Sequence, residues 1–173
     1  MVFETAAGWV AVLSSTAGLR RVTLPAGSRR EAVKQLGYDF TEAQESQNRL
    51  QATVERLTDY FSGSKVNFPQ TMDFNGATGF QRAVWRVTRL IPYGETRSYA
   101  WVAGQIDKPG AARAVGQALG RNPLPVIIPC HRVISGDGGL GGFTGGLEMK
   151  SFLLDLEKGS SVPGNSYSAG NFT

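Results

Sequence analysis

The chain has 173 residues, a net charge of +4, one cysteine and one histidine, which is enough for one or two small domains of ordinary soluble composition. A single cysteine excludes an internal disulfide and suits a reducing compartment. No apolar run approaches the roughly 20 residues needed to span a bilayer, and the start, Met1-Val2-Phe3-Glu4, lacks the basic and apolar regions of a leader, so the expected location is intracellular.

Trp9 to Leu13 and Leu19 to Leu24 are apolar and β-branched runs around Gly18, the pattern of a hairpin. After a polar stretch, Leu50, Val54, Leu57 and Phe61 share one helical face that closes at Gly63. These elements predict a small α+β unit with a structural role, ending in the polar connection Lys65 to Thr78. The expected organisation is therefore a structural domain over 1–75, a second domain over 76–160, and a flexible tail over 161–173.

Phe80, Ala83, Val84, Val87 and Ile91 follow helical spacing until Pro92-Tyr93-Gly94 interrupts it. Ser98 is placed to cap a helix carrying Val102, Ala103 and Ile106, and a small-residue helix, Ala111 to Leu119, follows and stops at Gly120. Two short helices joined by a Gly-containing turn make a helix-turn-helix, although helix pairs are also common packing units. The charge is uneven in a way that matters here. Met1 to Thr78 holds eight basic and eight acidic residues, Gly79 to Gly159 ten and six, and Arg82 to Arg132 eight and two. Around a helix-turn-helix such an excess fits a phosphate-binding face as well as a merely solvated one.

Leu124 to Ile134 reads as a short strand-like segment interrupted by Pro125 and Pro129, which places Cys130 at the end of a rigid stretch. Gly136 to Gly146 holds seven glycines in eleven residues. No Gly-Lys-Ser/Thr follows it, so a nucleotide-cradling loop is not expected, and no cofactor is predicted. Met149, Phe152, Leu153 and Leu156 form the apolar stripe of a last helix ending before Gly159.

Cys130 and His131 are adjacent in Ile-Ile-Pro-Cys-His-Arg-Val. A neighbouring base or positive charge can lower a thiol pKa from about 8.5 to roughly 3.5–7.5, and the thiolate is the nucleophile. An inert cysteine filling a core is the plain alternative. Because neighbours on an extended segment point to opposite faces, either the backbone turns after Pro129 or a water bridges the two side chains.

From Phe80 to Gly159 the chain resembles the O6-alkylguanine-DNA alkyltransferases, also called methylated-DNA–protein-cysteine methyltransferases. The resemblance runs through Ile91-Pro92-Tyr93-Gly94-Glu95, Arg97-Ser98-Tyr99, Ala111-Ala112-Arg113-Ala114-Val115-Gly116, Arg121-Asn122-Pro123, Ile128-Pro129-Cys130-His131-Arg132-Val133, the glycine loop, and Leu153-Leu154-Asp155-Leu156-Glu157. It implies an α+β protein: a small N-terminal α/β (ribonuclease H-like) domain followed by a mostly helical, winged helix-turn-helix-like domain. Members that lack transfer activity carry Trp where this chain has Cys130. Some members bind zinc in the first domain, but the ligand set is missing here, so no metal is expected.

The resemblance also implies the chemistry. Cys130 takes the alkyl group of O6-alkylguanine irreversibly, as a thioether with no easy hydrolysis route. His131 acts through a water as base, Glu157 orients it, and Tyr99 assists nucleotide extrusion and charge build-up on the base. Asn122 is the hinge between the recognition helix and the active-site strand, and Arg132 makes structural hydrogen bonds. Arg113, with Ala112, Ala114 and Gly116 on the same helix, enters the minor groove, and its side chain fills the gap left in the base stack. Cys130, Val133, Phe143, Thr144 and Gly145 form the alkylguanine pocket, with Phe143 and Thr144 standing where other members often have Tyr and Ser. The implied partner is double-stranded DNA, bound by a monomer in the cytoplasm or at the nucleoid, with no membrane contact. A cysteine hydrolase, or a module that recognises lesions without repairing them, are the competing readings.

Overall fold

The first strands form a three-stranded antiparallel sheet in the order β1 (Val2–Thr5), β2 (Gly8–Ser14), β3 (Leu19–Val22), with the central strand buried continuously from Val10 to Leu13. β2 and β3 are the expected hairpin, with Val12 opposite Val22 and a register irregularity at Leu13/Ser14. β1 is an addition that its four residues were too few to signal. The computed structural model describes residues 1–37 and 47–159; the tail expected after Gly159 lies outside the described residues.

Ser28 caps α1 (Arg29–Leu36) by accepting from the Glu31 N–H, and Ala32 and Leu36 pack on Ala11 and Leu13 of the sheet. In α2 (Gln47–Phe61), Leu50, Leu57 and Phe61 are buried as expected, joined by Thr53 and Tyr60, while Val54 of the expected face is half-buried. Within the connection that follows, Met72 bridges to Leu19, with Leu19 N–H donating to Thr71 O at 2.9 Å and Asp73 N–H to Leu19 O at 2.7 Å. The chain divides into two compact units, Met1–Asp73 and Phe74–Ser160.

The second unit opens with a capping box: Thr78 Oγ1 accepts from Gln81 N–H while Gln81 accepts from Thr78 N–H, starting α3 (Gly79–Thr88). Ser98 caps α4 (Tyr99–Gln105) through the Trp101 N–H at 3.0 Å. α5 (Ala112–Gly120) buries Val115, Ala118 and Leu119, and Trp85 Nε1 of α3 donates to Ala118 O at 2.9 Å, fixing the two helices together.

The strand expected over 124–134 exists only at its end. β4 (Arg97–Ser98) pairs in parallel with β5 (Val133–Ile134), and Cys130–Arg132 forms a single 3-10 turn instead. Pro125 and Pro129 lack the N–H groups a ladder needs. Val126 adopts φ 71°, a costly conformation for a β-branched residue. The loop is tied by Ile128 N–H donating to Leu124 O at 2.8 Å.

In α6 (Leu147–Glu157) the buried residues are Lys150, Leu153, Leu154, Leu156 and Glu157. The covered stripe is thus rotated from the apolar one expected at 149, 152, 153 and 156. Two charged residues turn inward because fixed partners satisfy them. No helix among the described residues is long and apolar enough to cross a membrane, and the fold is α+β.

Gly18 has φ +149°, and a Cβ there would lie 2.5 Å from Thr71 O. Gly18→Ala is expected to destabilise the first unit by roughly 1–3 kcal/mol, measured by urea denaturation; an unchanged midpoint would contradict this account of the turn.

Candidate active site

The site is built on the 3-10 turn. The chain turns at Pro129, with Cys130 N–H donating to Ile128 O at 2.7 Å and Arg132 N–H to Pro129 O at 2.9 Å. This bend sends Cys130 and His131 in different directions without an extended strand. Asn122, just beyond α5, holds the approach: its Nδ2 donates to Ile128 O at 2.8 Å and to Cys130 Sγ at 3.1 Å, while its Oδ1 accepts from Leu124 N–H at 2.9 Å. Burial pushes the Cys130 thiol up. The Asn122 amide, the charge of Lys150 and the backbone N–H groups of Cys130 and His131 each oppose this in part, and the thiol stays above its ordinary value.

The two basic residues that follow Cys130 face the protein interior. Glu157 Oε1 meets His131 Nε2 at 2.7 Å and accepts from Arg132 Nη2 at 2.9 Å, and its Oε2 accepts from Arg132 Nε at 2.8 Å and Gly94 N–H at 3.0 Å. Arg132 Nη1 donates to Ile91 O at 2.7 Å. Burial alone would raise the Glu157 carboxyl, but the hydrogen bonds and charges of His131 and Arg132 outweigh it and hold Glu157 well below the usual carboxylate range. An ionised Glu157 only accepts, so His131 donates from Nε2 and its lone pair sits on Nδ1. Burial is the main reason that His131 stays below its ordinary value, and therefore neutral; Glu157 opposes it.

Cys130 opens onto a cavity of about 610 Å³, a size suited to a small flat ligand. α5 contributes Ala112, Arg113, Gly116, Leu119 and Gly120 to its wall, and the glycine-rich loop contributes Gly141, Gly142, Phe143 and Thr144. Tyr99 stands between them: β4–β5 pairing sets Ser98 opposite Ile134, and the Tyr99 hydroxyl donates to Gly142 O at 3.2 Å. Burial and the nearby Cys130 charge both push the Tyr99 phenol up. Gly141, at φ +67°, leaves room for the Tyr99 ring, since a Cβ would lie 2.9 Å from Cε2 and from Oη. Thr144 Oγ1 donates to Gly120 O at 3.0 Å, closing the loop on the end of α5.

Of the expected pocket residues, Cys130, Phe143 and Thr144 line the cavity. Val133 is fully buried and outside the lining, and its carbonyl accepts from Lys150 Nζ at 2.6 Å. Gly145 lies in the loop and Ala114 on the exposed side of α5, both outside the lining. Ser135, Leu119 and Gly120 line it unanticipated. Lys150 was also missed, although its spacing from Leu153, Leu154 and Glu157 puts all four on one helical face. Among the described residues no cluster of His, Cys, Asp and Glu could hold a metal ion.

Residues 79–159 match the family profile of the 6-O-methylguanine DNA methyltransferase DNA-binding domain. The methylated-DNA–protein-cysteine methyltransferase of Methanosarcina barkeri is 39% identical over 157 residues, covering 91% of this chain and 95% of that one. The chain belongs to the methylated-DNA–protein-cysteine methyltransferase family. The inducible family member of Bacillus subtilis is 47% identical over 117 residues, covering 68% of this chain and 65% of its own length. That of Mycobacterium tuberculosis H37Rv is 52% identical over 105 residues, covering 61% and 63%. The match thus spans less than two thirds of these two bacterial relatives. The crystal structure of M. tuberculosis OGT in complex with DNA superposes with a TM-score of 0.76 at 38% identity, covering 92% of each chain. The methyltransferase of Pyrococcus kodakaraensis gives 0.62 at 25% identity, covering 91% of this chain and 96% of that one. This methyltransferase is a transferase by class, as the names of its relatives state.

The His131–Glu157 pair sets an acid limit on stability. Glu157 is held low, so its contribution is present above the unfolded carboxyl pKa of about 4.3 and is lost as pH falls. His131 is held neutral, so its contribution is present above about 6.5 and also declines on acidification. Thermal melts are expected to fall from about pH 6.5 downward. Glu157→Gln is expected to cost roughly 3–5 kcal/mol at pH 7, because it leaves the Arg132 charge buried without its partner. A flat wild-type profile between pH 7 and 4 would contradict this.

Proposed function

We propose that this methyltransferase repairs DNA by extruding O6-alkylguanine from the duplex and moving the alkyl group irreversibly to Cys130, restoring guanine. The observation that carries this reading is a buried cysteine, held by Asn122, lining one cavity together with α5 and its exposed Arg113. His131 takes the thiol proton through a water at Nδ1, where the neutral ring keeps its lone pair. The thiolate attacks the saturated carbon, the carbon–oxygen bond breaks, and its electrons pass to the guanine oxygen and ring, which is then reprotonated. Glu157 holds the ring of His131 and balances its transient positive charge. Tyr99 donates toward the departing base, with burial keeping its phenol protonated. The product is a thioether and Cys130 is the only thiol, so each chain acts once.

In this reading α5 enters the minor groove, where Ala112, Ala114 and Gly116 let its backbone approach closely and Arg113, exposed and lining the cavity, refills the base stack. Asn122 is the hinge that orders the turn around Cys130. The Thr144 backbone N–H, flanked by Phe143 and Gly145, meets the O6 atom, and the carbonyls of Cys130 and Val133 read the guanine amino group. We read residues 1–75 as a structural, ribonuclease H-like domain and 76–160 as the DNA-binding and active-site domain of winged helix-turn-helix type. The sheet with its two helices supports the former, and the α4–α5 pair beside β4–β5 the latter. The protein acts as a monomer, in the cytoplasm or at the nucleoid where its DNA substrate lies.

Incubation with duplex DNA carrying O6-methylguanine, followed by intact mass measurement, is expected to show the gain of one CH2 per chain, located on Cys130, and none on Cys130→Ala. An unmodified Cys130 beside restored guanine, or several lesions cleared per chain, would overturn the proposal. Arg113→Ala is expected to slow repair in duplex DNA roughly tenfold or more, since extrusion costs a few kcal/mol that the side chain offsets. Its reaction with free O6-methylguanine should be preserved, and equal losses on both substrates would remove Arg113 from the stack.

A further inference from the structure

Lys150 is fully buried, and the transfer steps above do not use it. Burying an ammonium is unfavourable unless fixed dipoles replace its water, and an apolar residue of similar volume would serve stability alone at least as well. The replacement here is specific. Lys150 Nζ donates to Val133 O of β5 at 2.6 Å, to Leu140 O, and to Gly142 O at 3.4 Å. It also lies 5.8 Å from the ring centroid of Tyr99 and 6.0 Å from that of Phe143, within cation–π range. One side chain therefore joins the strand after Cys130 to the glycine-rich loop and to the two aromatic walls of the cavity. The loop carbonyl of Gly142 is shared with the Tyr99 hydroxyl.

The charges around this cavity sort themselves. Arg132 is turned to Glu157, His131 is neutral and also bonded to Glu157, and Arg113 is exposed on α5. Among the described residues the partners of Lys150 are carbonyl oxygens and rings, not a carboxylate, and its charge acts on the sulfur and on the His131 ring. We propose that Lys150 is a positioning residue for the transfer: its ammonium clamps the glycine-rich loop to β5 and supplies the positive charge against which Cys130 ionises. The influence is mutual. Burial outweighs the opposing Cys130 charge and brings Lys150 down to about 8, and Lys150 in turn lowers the thiol. His131 then removes a proton whose departure Lys150 has made easier.

This inference takes its purpose from the repair reading, but its test does not depend on DNA. The pH dependence of Cys130 alkylation by iodoacetamide, followed by intact mass, is compared for the wild type, Lys150→Met and Lys150→Arg, with circular dichroism reporting the fold. A midpoint raised by about one unit in Lys150→Met, with a corresponding roughly tenfold slower reaction at neutral pH, and partial return in Lys150→Arg, is the expected result. An unmoved midpoint in folded Lys150→Met would overturn it. A second measurement uses the wild-type side chains. Capping Cys130 with methyl methanethiosulfonate should lower the Lys150 titration midpoint seen by NMR of lysine labelled at Cε, and an unchanged midpoint would overturn the coupling. A shifted thiol midpoint together with no methyl adduct from O6-methylguanine would leave Lys150 as the charge partner and remove the repair reading.

Discussion

A carboxylate shielded from water, Glu157 on α6, collects N–H groups from two separated parts of the chain: His131 and Arg132 on the 3-10 turn, and Gly94 before β4. Desolvating one negative charge is unfavourable, and here the bidentate guanidinium and the imidazole compensate for it. The consequence is geometric. With Arg132 and His131 both committed to Glu157, the turn that carries them has one orientation, and Cys130 at its start is aimed away from them into the cavity. Loss of the carboxylate would release all three anchors at once.

That arrangement separates two tasks that sequence adjacency would merge. His131 and Arg132 follow Cys130 directly, yet the Arg132 charge is used by Glu157 and Ile91, and the His131 ring is held neutral by burial. The electrostatic help that reaches the sulfur comes from elsewhere: the Asn122 amide, two backbone N–H groups and the ammonium of Lys150. A neutral imidazole is the form a proton acceptor needs. A cation already paired with a carboxylate has little left to offer a thiolate.

The cavity is similarly a joint product of a helix and a loop. α5 presents small residues with one exposed arginine, and the glycine-rich loop folds against it through Thr144 and Gly120. Tyr99 fits between because Gly141 has no side chain. Small residues serve the wall in two ways: they give up bulk at the mouth and permit a left-handed backbone next to an aromatic ring.

Much of this was legible in the residue order because its causes are local. Ser98 and the helices around it follow from capping and period, Gly120 marks the end of α5, and the paired Cys130 and His131 stood out as the single representatives of their types. The family motifs likewise drew Glu157, Asn122, Tyr99 and Arg113 into one expectation, and the structure brings Glu157 to His131, Asn122 to Cys130 and Tyr99 to the cavity. What periodicity could not supply was anything resting on distant partners: the short strands β1 and β4, the 3-10 turn in place of a strand, and the inward rotation of α6. Lys150 is the clearest case, since an isolated lysine on a helix reads as solvated until carbonyl groups from β5 and the glycine loop are seen to surround it. Residue order alone thus determined which groups could react and where helices start and stop, through bonds between near neighbours. Only the tertiary structure decided which charges face the sulfur, because the free energy of a buried charge is set by everything packed around it.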